Sequence, residues 1–424
     1  MIRGPRAILA LLTALNLLNY MDRQVLAAVL PKVQEDLALS NLEAGELATL
    51  FLLGFFLTTP AFGLLADRRA RKGLMAVGVV VWSVATLATG MVSSRLGLQI
   101  ARAVVGVGEA SFVAVAPTVL DDVAPADKRS RYLAVFYSAI PVGGAFGFVL
   151  GGQVERVAGW RAAFWAAGLP GLVLALVLLG LAEPPRNLGP RRDVIGDLGD
   201  LLPCRPFWQA SLGYCAFTFS FGALAYWAPS FVVRAYDTKV AAAATMLGGV
   251  TVVAGLGGNW LGGVLGDAAI ARRRAAVEKR LGRAATEEEA SASSAAALLR
   301  LCAWATGLGT PVAILAFRAL SPRAFAGSIF VCETAFLLCT APMTAITLRS
   351  VPARLRATAM AVSIFLIHAL GDLWSPSLLG WLIDHHSLRT AFMLVPGGFG
   401  VAALVWSRPL PRDRAKGALV AAEG

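Results

Sequence analysis

The sequence predicts an all-α integral membrane protein with twelve transmembrane helices, and its composition is the first observation that does so. Of its 424 residues, 57% are hydrophobic and 15% are charged, and the mean hydropathy is +0.68. Soluble proteins carry about 25% charged residues. This balance excludes a water-soluble enzyme, a disordered chain and a disulfide scaffold.

The second observation is a series of twelve apolar runs separated by short polar segments. A membrane-spanning helix needs about 20 apolar residues, and an even number of such helices places both termini on one side. The predicted spans are 7–31, 44–65, 73–93, 98–120, 132–154, 162–182, 207–233, 239–266, 297–317, 325–349, 357–383 and 390–407.

The third observation is the distribution of Lys and Arg between the two sets of loops. The segments on the side of the termini carry 27 of these residues and the opposite segments carry 9. Cytoplasmic loops are enriched in Lys and Arg, so we expect both termini in the cytoplasm, with the bacterial inner membrane as the expected location. This bias accounts for the net charge of +12 without a nucleic-acid partner.

The chain divides into two comparable halves. We predict six-helix bundles over residues 1–182 and 207–424, a cytoplasmic linker over 183–206 that is rich in Pro, Gly and Arg, and a cytoplasmic loop over 267–296. The halves repeat each other weakly at corresponding places. Gly63-Leu-Leu-Ala-Asp67 after span two matches Gly263-Val-Leu-Gly-Asp267 after span eight.

The loop after span two carries a recognisable motif, Gly63-x-x-x-Asp67-Arg68-x-x-Arg71-Lys72. It resembles the signature loop of the major facilitator superfamily, except that Ala70 stands where a glycine is usual. The resemblance implies the major facilitator fold, built as a parallel repeat of two bundles. It also implies a conformational latch formed by these residues and Asp267 between the ends of the two halves.

Four further segments are similar to the spinster branch of that superfamily, which includes lysosphingolipid and lysophospholipid exporters. These segments are Asn19–Arg23, Arg102–Ser111, Ala116–Thr118 and Phe136–Gly143. The similarity is specific over residues 16–150 and generic beyond them. It implies a secondary transporter that works by alternating access, and it places spans one, four, seven and ten around the central cavity.

Charged residues inside these spans are the candidate functional residues, because buried membrane charges are costly and usually functional. They are Asp22 and Arg23 in span one, Arg102 and Glu109 in span four, and Glu333 in span ten. The spacing of seven positions between Arg102 and Glu109 equals about two helical turns and places both on one face.

We assign each charge a hypothetical role. Arg23 and Arg102 would bind an anionic headgroup, since guanidinium offers forked donors. Asp22 and Glu109 would exchange protons and compete with the substrate for those arginines. Glu333 would recognise a substrate amine or act as another proton site. A structural network joining spans one and four is the alternative interpretation.

Other predictions are less specific. Tyr137 and Phe148 of span five and Tyr226 and Trp227 of span seven are candidate substrate-binding aromatics. In span eleven, the i and i+4 spacing of His368 and Asp372 places both on one face, as a structural pair or gate.

The function predicted from the sequence is proton-coupled transport of an amphipathic anionic or zwitterionic lipid-like substrate by a monomer without an organic cofactor. A multidrug–proton antiporter of the same fold is the nearest alternative, although its cationic cargo would conflict with two buried arginines. A non-transporting receptor or scaffold is the alternative of another class. An enzyme is not expected, because the sequence offers no metal, nucleotide or nucleophile–base motif.

Overall fold

The computed structural model describes residues 4–125, 128–182 and 194–409, and the regular elements in these ranges are helices. They are α1 (Pro5–Leu37), α2 (Asn41–Arg68), α3 (Arg71–Thr89), α4 (Arg95–Val123), α5 (Arg129–Leu179), α6 (Val194–Leu201), α7 (Arg205–Tyr236), α8 (Val240–Leu281), α9 (Glu287–Arg318), α10 (Pro322–Leu337), α11 (Thr340–Arg349), α12 (Arg356–Leu366), α13 (Ser375–His385), α14 (Leu388–Ala391) and α15 (Leu394–Ser407).

Ten segments of the described residues are long and apolar enough to cross a membrane. One of them lies in α5, whose 51 residues would extend about 76 Å at 1.5 Å per residue. The hydrocarbon core is about 30 Å thick, and α5 bends at Gly159, which has φ 81°. We therefore count two crossings in α5. Helix α1 is not among the ten segments, because its mid-helix charges lower its hydropathy. With α1 and the second crossing in α5, the described helices are consistent with twelve crossings.

The predicted eleventh span is interrupted rather than continuous. Between α12 and α13 the chain forms a π-helical turn, Ile367–Asp372, in which Gly371 leaves helical geometry at φ −98° and ψ −105°. Such irregular turns in membrane helices are tolerated where neighbouring protein satisfies the backbone. Here Thr218 Oγ1 donates to the Ile367 carbonyl oxygen at 2.9 Å.

The packing of the two halves differs between the two sides of the membrane. We call the side on which α1 begins the terminal side and the opposite one the far side. The core on the far side joins both halves, with Val25 and Leu47 packed in one cluster with Trp227 and Leu379. On the terminal side, separate clusters belong to the first half and to the second half. Among the described residues, the buried apolar cores of the two halves are thus joined on the far side and separate on the terminal side.

Glycines permit the close approach of the halves on the far side. A Cβ on Gly45 of α2 would overlap the Pro376 carbonyl of α13, and one on Gly380 of α13 would overlap the Asn41 carbonyl of α2. Small residues of this kind let membrane helices pack backbone to backbone. The α2–α13 contact is therefore a tight seam between the first and second halves.

Candidate functional site

The centre of the first half holds a buried ion pair between α1 and α4. Arg23 Nε donates to Glu109 Oε2 at 2.7 Å, and the two side chains are 18% and 0% exposed. A charge-assisted contact in a water-poor interior is stronger than the same contact in water. The structure thus joins two of the charges that the sequence singled out.

Asp22 and Arg102 lie in the same region and are also buried. Asp22 Oδ2 accepts a hydrogen bond from Thr86 Oγ1 of α3 at 2.8 Å, while Arg102 acts on the carboxylate electrostatically. Asp22 Oδ1 and the Arg102 atoms Nε and Nη1 are buried without a hydrogen-bond partner among the described residues. The side chains of Asp22 and Arg23 point in different directions, as expected for adjacent residues, which lie about 100° apart on a helix.

An aromatic wall surrounds the two guanidinium groups. The Cζ atom of Arg23 lies 4.8 Å from the ring centre of Tyr20, 5.1 Å from that of Phe51 and 5.0 Å from that of Phe55. Arg102 Cζ lies 5.1 Å from the Phe51 ring centre. Aromatic rings attract cations at such distances. Phe51 of α2 therefore contacts both arginines and ties the position of one to that of the other.

Gly106, midway between Arg102 and Glu109, brings α2 close to α4. A Cβ at this position would overlap the Phe51 carbonyl oxygen. The helix that approaches α4 at this position is therefore α2.

Polar contacts between the halves close the far side. Asp384 of α13 accepts hydrogen bonds from the backbone N–H groups of Asn41 and Leu42 at 3.1 and 2.8 Å, and from Asn41 Nδ2 at 2.6 Å. These N–H groups begin α2, where a helix favours negative charge. Arg234 of α7 donates to Asn41 Oδ1 at 2.7 Å. We call these four residues the far-side gate.

Three residues that we predicted to bind substrate lie in closed packing instead. The Tyr226 hydroxyl donates to the Ala44 carbonyl of α2 at 2.6 Å, and Trp227 Nε1 donates to the Pro376 carbonyl at 2.9 Å. Phe148 is 3% exposed within the far-side core. In this conformation, burial and hydrogen bonds hold these three aromatics in interhelical packing, and their substrate-binding role stays a prediction.

Tyr137 is different, because it is 47% exposed. Its ring packs edge-on against Phe136 with centroids 5.2 Å apart, and it is close enough to Tyr20 for the two phenols to interact electrostatically. This places Tyr137 of α5 at an accessible position beside the aromatic wall.

Glu333 forms a separate buried site in the second half. Its Oε2 accepts from Thr251 Oγ1 of α8 at 3.3 Å, and no ion pair within 4.0 Å involves it among the described residues. The structure therefore does not bring Glu333 into contact with the four first-half charges, and its role stays a prediction.

The predicted pair in span eleven is formed. His368 Nδ1 lies 3.0 and 3.1 Å from the two carboxylate oxygens of Asp372, inside the π-helical turn. The His368 ring also faces Phe55 of α2 at 6.5 Å between ring centres, and the charge of Asp372 acts on Arg23. The pair thus lies where the second half meets the aromatic wall.

The structure describes the residues of the predicted latch only in part. Arg71 Nη1 pairs with Asp122 Oδ2 at 2.6 Å, inside the first half. A Cβ on Gly63 would meet nothing within 4 Å. Arg68 and Asp267 are exposed and Lys72 is partly exposed, while the Asp67 side chain lies outside the described part of the structure. The latch role stays a prediction.

Sequence reasoning missed several contributors to the site. Tyr20 stands three residues before Arg23, a helical spacing that could have identified it. Phe51, Phe55 and Thr86 reach the charges from α2 and α3, and no local signal in the sequence distinguishes them. Among the described residues, no group of three or more His, Cys, Asp or Glu is placed to hold a metal ion.

A membrane fold of two helical halves around a charged centre defines the class of protein, and the family comparisons agree. The sequence model described as Major Facilitator Superfamily matches residues 12–279. A second model, Organic Anion Transporter Polypeptide (OATP) family, matches residues 322–389. The chain belongs to the major facilitator superfamily, and it is a multi-pass membrane transporter rather than an enzyme.

Within that superfamily the chain is of the spinster type. A probable sphingolipid transporter, spinster homolog 2 of Arabidopsis thaliana, is 33% identical over 448 residues, covering 95% of this chain and 86% of that protein. Protein spinster homolog 1 of Homo sapiens is 34% identical over 405 residues, covering 89% and 72%.

Solved structures match the fold. A bacterial homolog of the human lysosomal transporter spinster, in an inward-facing and unoccupied conformation, superposes with a TM-score of 0.76 at 20% identity. It covers 95% of this chain and 94% of that one. A D-xylose–proton symporter superposes with a TM-score of 0.73 at 16% identity, covering 95% and 97%.

Proposed function

We propose that this spinster-type transporter is proton-coupled and moves an amphipathic lipid-like molecule, of lysophospholipid or sphingolipid type, with an anionic or zwitterionic headgroup. One relative carries the name of a probable sphingolipid transporter, which supports the substrate class. The charged centre of the first half supports the headgroup chemistry.

The observation that carries the proposal is a set of buried guanidinium donors without acceptors. Arg102 Nε and Nη1 and Arg23 Nη2 have no hydrogen-bond partner among the described residues. An unsatisfied buried polar group costs about 1–3 kcal/mol, and more when it is charged. A phosphate oxygen is an acceptor that matches the forked geometry of arginine. Binding of an anionic headgroup would satisfy these donors.

The Arg23–Glu109 ion pair supports the proposal of proton coupling. In the structure the carboxylate of Glu109 occupies Arg23 at 2.7 Å. When a proton binds Glu109, the pair loses its charge attraction and Arg23 becomes available to the headgroup. When the headgroup leaves, Arg23 favours the ionised carboxylate again and the proton is released. Asp22 acts on Arg102 through charge, without a described ion pair, and we propose that protonation of Asp22 frees Arg102 for the headgroup in the same way.

Alternating access then requires the far-side gate to open and the terminal side to close. We interpret the structure as the conformation open to the terminal side, because the described cores of the two halves are joined on the far side and separate on the terminal side. The Lys and Arg bias favours a cytoplasmic location of that side, so we assign the conformation as inward-open in a bacterial inner membrane. We propose that the transporter acts as a monomer, with protons as the coupling ion and no organic cofactor.

The test is uptake of a fluorescent lysophospholipid by liposomes containing the purified protein. Arg102→Gln should reduce uptake at least about tenfold, because a lost hydrogen bond to a charged group is worth about 1.5–3 kcal/mol. Arg272→Gln, which removes the same charge from an exposed position of α8, should leave uptake unchanged. Uptake of lipophilic cations in place of the lipid would contradict the proposal and favour the multidrug antiporter.

A further inference from the structure

A cleft on the terminal side of the first half combines basic and apolar walls. Its mouth has a volume of about 670 Å³ and is lined chiefly by Arg6 of α1, Lys128 and the α5 residues Arg131, Tyr132 and Val135. An adjoining cavity of about 390 Å³ shares Arg6 and Val135 with the mouth. Its other walls are mainly apolar and follow α1.

Two of the charges at the mouth are exposed. These are Arg6 and Arg131, and neither forms an ion pair with a carboxylate among the described residues. Two described carboxylates of α4 are engaged elsewhere, since Asp122 pairs with Arg71 and Asp121 with Arg129. Within the described part of the chain, Arg6 and Arg131 therefore place positive charge beside apolar surface.

One face of α1 continues the cleft towards the candidate site. Arg6, Ala10, Thr13, Leu17 and Tyr20 lie within about 40° of one line along the helix at 100° per residue. All five are at least partly exposed. The distance from Arg6 to Leu17 is about 16 Å at 1.5 Å per residue, close to half of the ~30 Å hydrocarbon core.

The inner end of this face reaches the central charges. Tyr20 packs against the Arg23 guanidinium with 4.8 Å between Cζ and the ring centre. Tyr137 of α5 stands beside Tyr20 and is half-exposed. Along the way, Thr13 Oγ1 is buried without a hydrogen-bond partner among the described residues. The cleft is thus basic at its mouth and apolar along α1 as far as Leu17. The same face of α1 continues to Tyr20, which contacts Arg23.

We propose that this cleft is an access site for a single-chain lipid phosphate, which holds the phosphate at Arg6 and Arg131 while the chain lies along α1 towards Leu17. The basic residues at the mouth match the negative charge of the phosphate. The apolar length of the cleft along α1 matches one leaflet of the bilayer. The proposal rests on the proposed function, because it adds a first binding step on the terminal side before the headgroup reaches Arg23 and Arg102.

The experiment is photo-crosslinking of the purified full chain with lysophosphatidic acid that carries a photoreactive group on its acyl chain. We expect labelled peptides from residues 9–17 and from the segment around Val135. The double variant Arg6→Gln with Arg131→Gln should need a roughly tenfold higher probe concentration for half-maximal labelling. The matched control, Arg272→Gln with Arg273→Gln, removes two exposed charges of α8 and should label like the wild type.

Two further measurements distinguish a failure of this inference from a failure of the proposed function. Arg102→Gln should lose transport and keep labelling of the cleft, because the cleft is a separate site. Wild-type protein that transports no lipid but shows the expected labelling would contradict the proposed function alone. Equal labelling of the Arg6/Arg131 double variant and the wild type would overturn the access site.

Competition with unlabelled ligands identifies the molecule that occupies the cleft. Unlabelled lysophosphatidic acid should displace the probe, whereas inorganic phosphate and two-chain phosphatidic acid should displace it weakly. Displacement by inorganic phosphate at the same concentration would overturn the inference in favour of a free-anion site. Equal displacement by the two-chain lipid would overturn it in favour of a bilayer lipid.

Discussion

Replacing Glu109 by glutamine tests the competition between the carboxylate and the substrate for Arg23. The change keeps the size of the side chain and removes its charge from a bond of 2.7 Å. A hydrogen bond to a charged group is worth about 1.5–3 kcal/mol, and each 1.4 kcal/mol is a tenfold change in affinity. Because the amide retains a weaker contact with Arg23, we expect anionic ligand to bind about tenfold more tightly.

The assay is equilibrium binding of a radiolabelled lysophosphatidic acid to purified protein over a range of pH. In the wild type, affinity should rise as the pH falls, since protonation of Glu109 releases Arg23. In Glu109→Gln, affinity should be high at every pH and its pH dependence flatter. Glu278→Gln is the matched control, because it neutralises another arginine-bound carboxylate, one that pairs with Arg274 of α8 at 3.0 Å outside the charged centre.

The reasoning is refuted if Glu109→Gln binds the lipid no more tightly than the wild type and keeps the same pH dependence. Weaker binding would also refute it, since Glu109 would then support the ligand site rather than compete for it. An equal effect of Glu278→Gln would show that the change does not depend on the Arg23 contact.

Three other substitutions test the packing and the gate. Gly106→Ala should lower the unfolding free energy in detergent by about 1–3 kcal/mol, because the added methyl meets the Phe51 carbonyl. Its control is Gly263→Ala, which should be neutral or stabilising because a Cβ there would meet nothing within 4 Å. Asp384→Asn should raise the accessibility of engineered far-side cysteines to a thiol reagent, because it removes the charge that holds the start of α2. Thr86→Val should shift the pH profile of transport with little loss of folded protein, since it deletes the hydrogen bond to Asp22.

Each of these three predictions has an outcome that would contradict it. Equal thermal stability of the two glycine variants would show that the α2–α4 contact tolerates a side chain. Unchanged cysteine labelling in Asp384→Asn would show that other contacts hold the far side closed. An unaltered pH profile in Thr86→Val would remove Asp22 from the proton pathway.

The sequence located the helices and the charged centre because both depend on local pattern. Apolar runs predicted the spans to within a few residues over most of the described chain. Helical spacing placed Arg102 and Glu109 on one face, and the structure pairs Glu109 with Arg23. The interruption at Ile367–Asp372 was not predicted, because tertiary contacts such as that from Thr218 stabilise it.

The conformational state and the far-side gate could not be read from the sequence. The gate joins Asn41 to Asp384, 343 positions away, and such contacts depend on how the halves pack. The same packing explains why Tyr226 and Trp227 proved to be interhelical contacts, since a polar aromatic in a span is equally suited to a cavity wall or to a buried hydrogen bond.

The most direct measurement of the central claim is proton movement during lipid transport. Proteoliposomes enclosing a pH-sensitive dye are given a lysophospholipid without an imposed pH gradient. The account predicts a dye signal in the wild type that is lost when Asp22→Asn and Glu109→Gln are combined, while the lipid still binds. Lipid transport by the wild type without any proton movement, or an undiminished signal in the double variant, would contradict it.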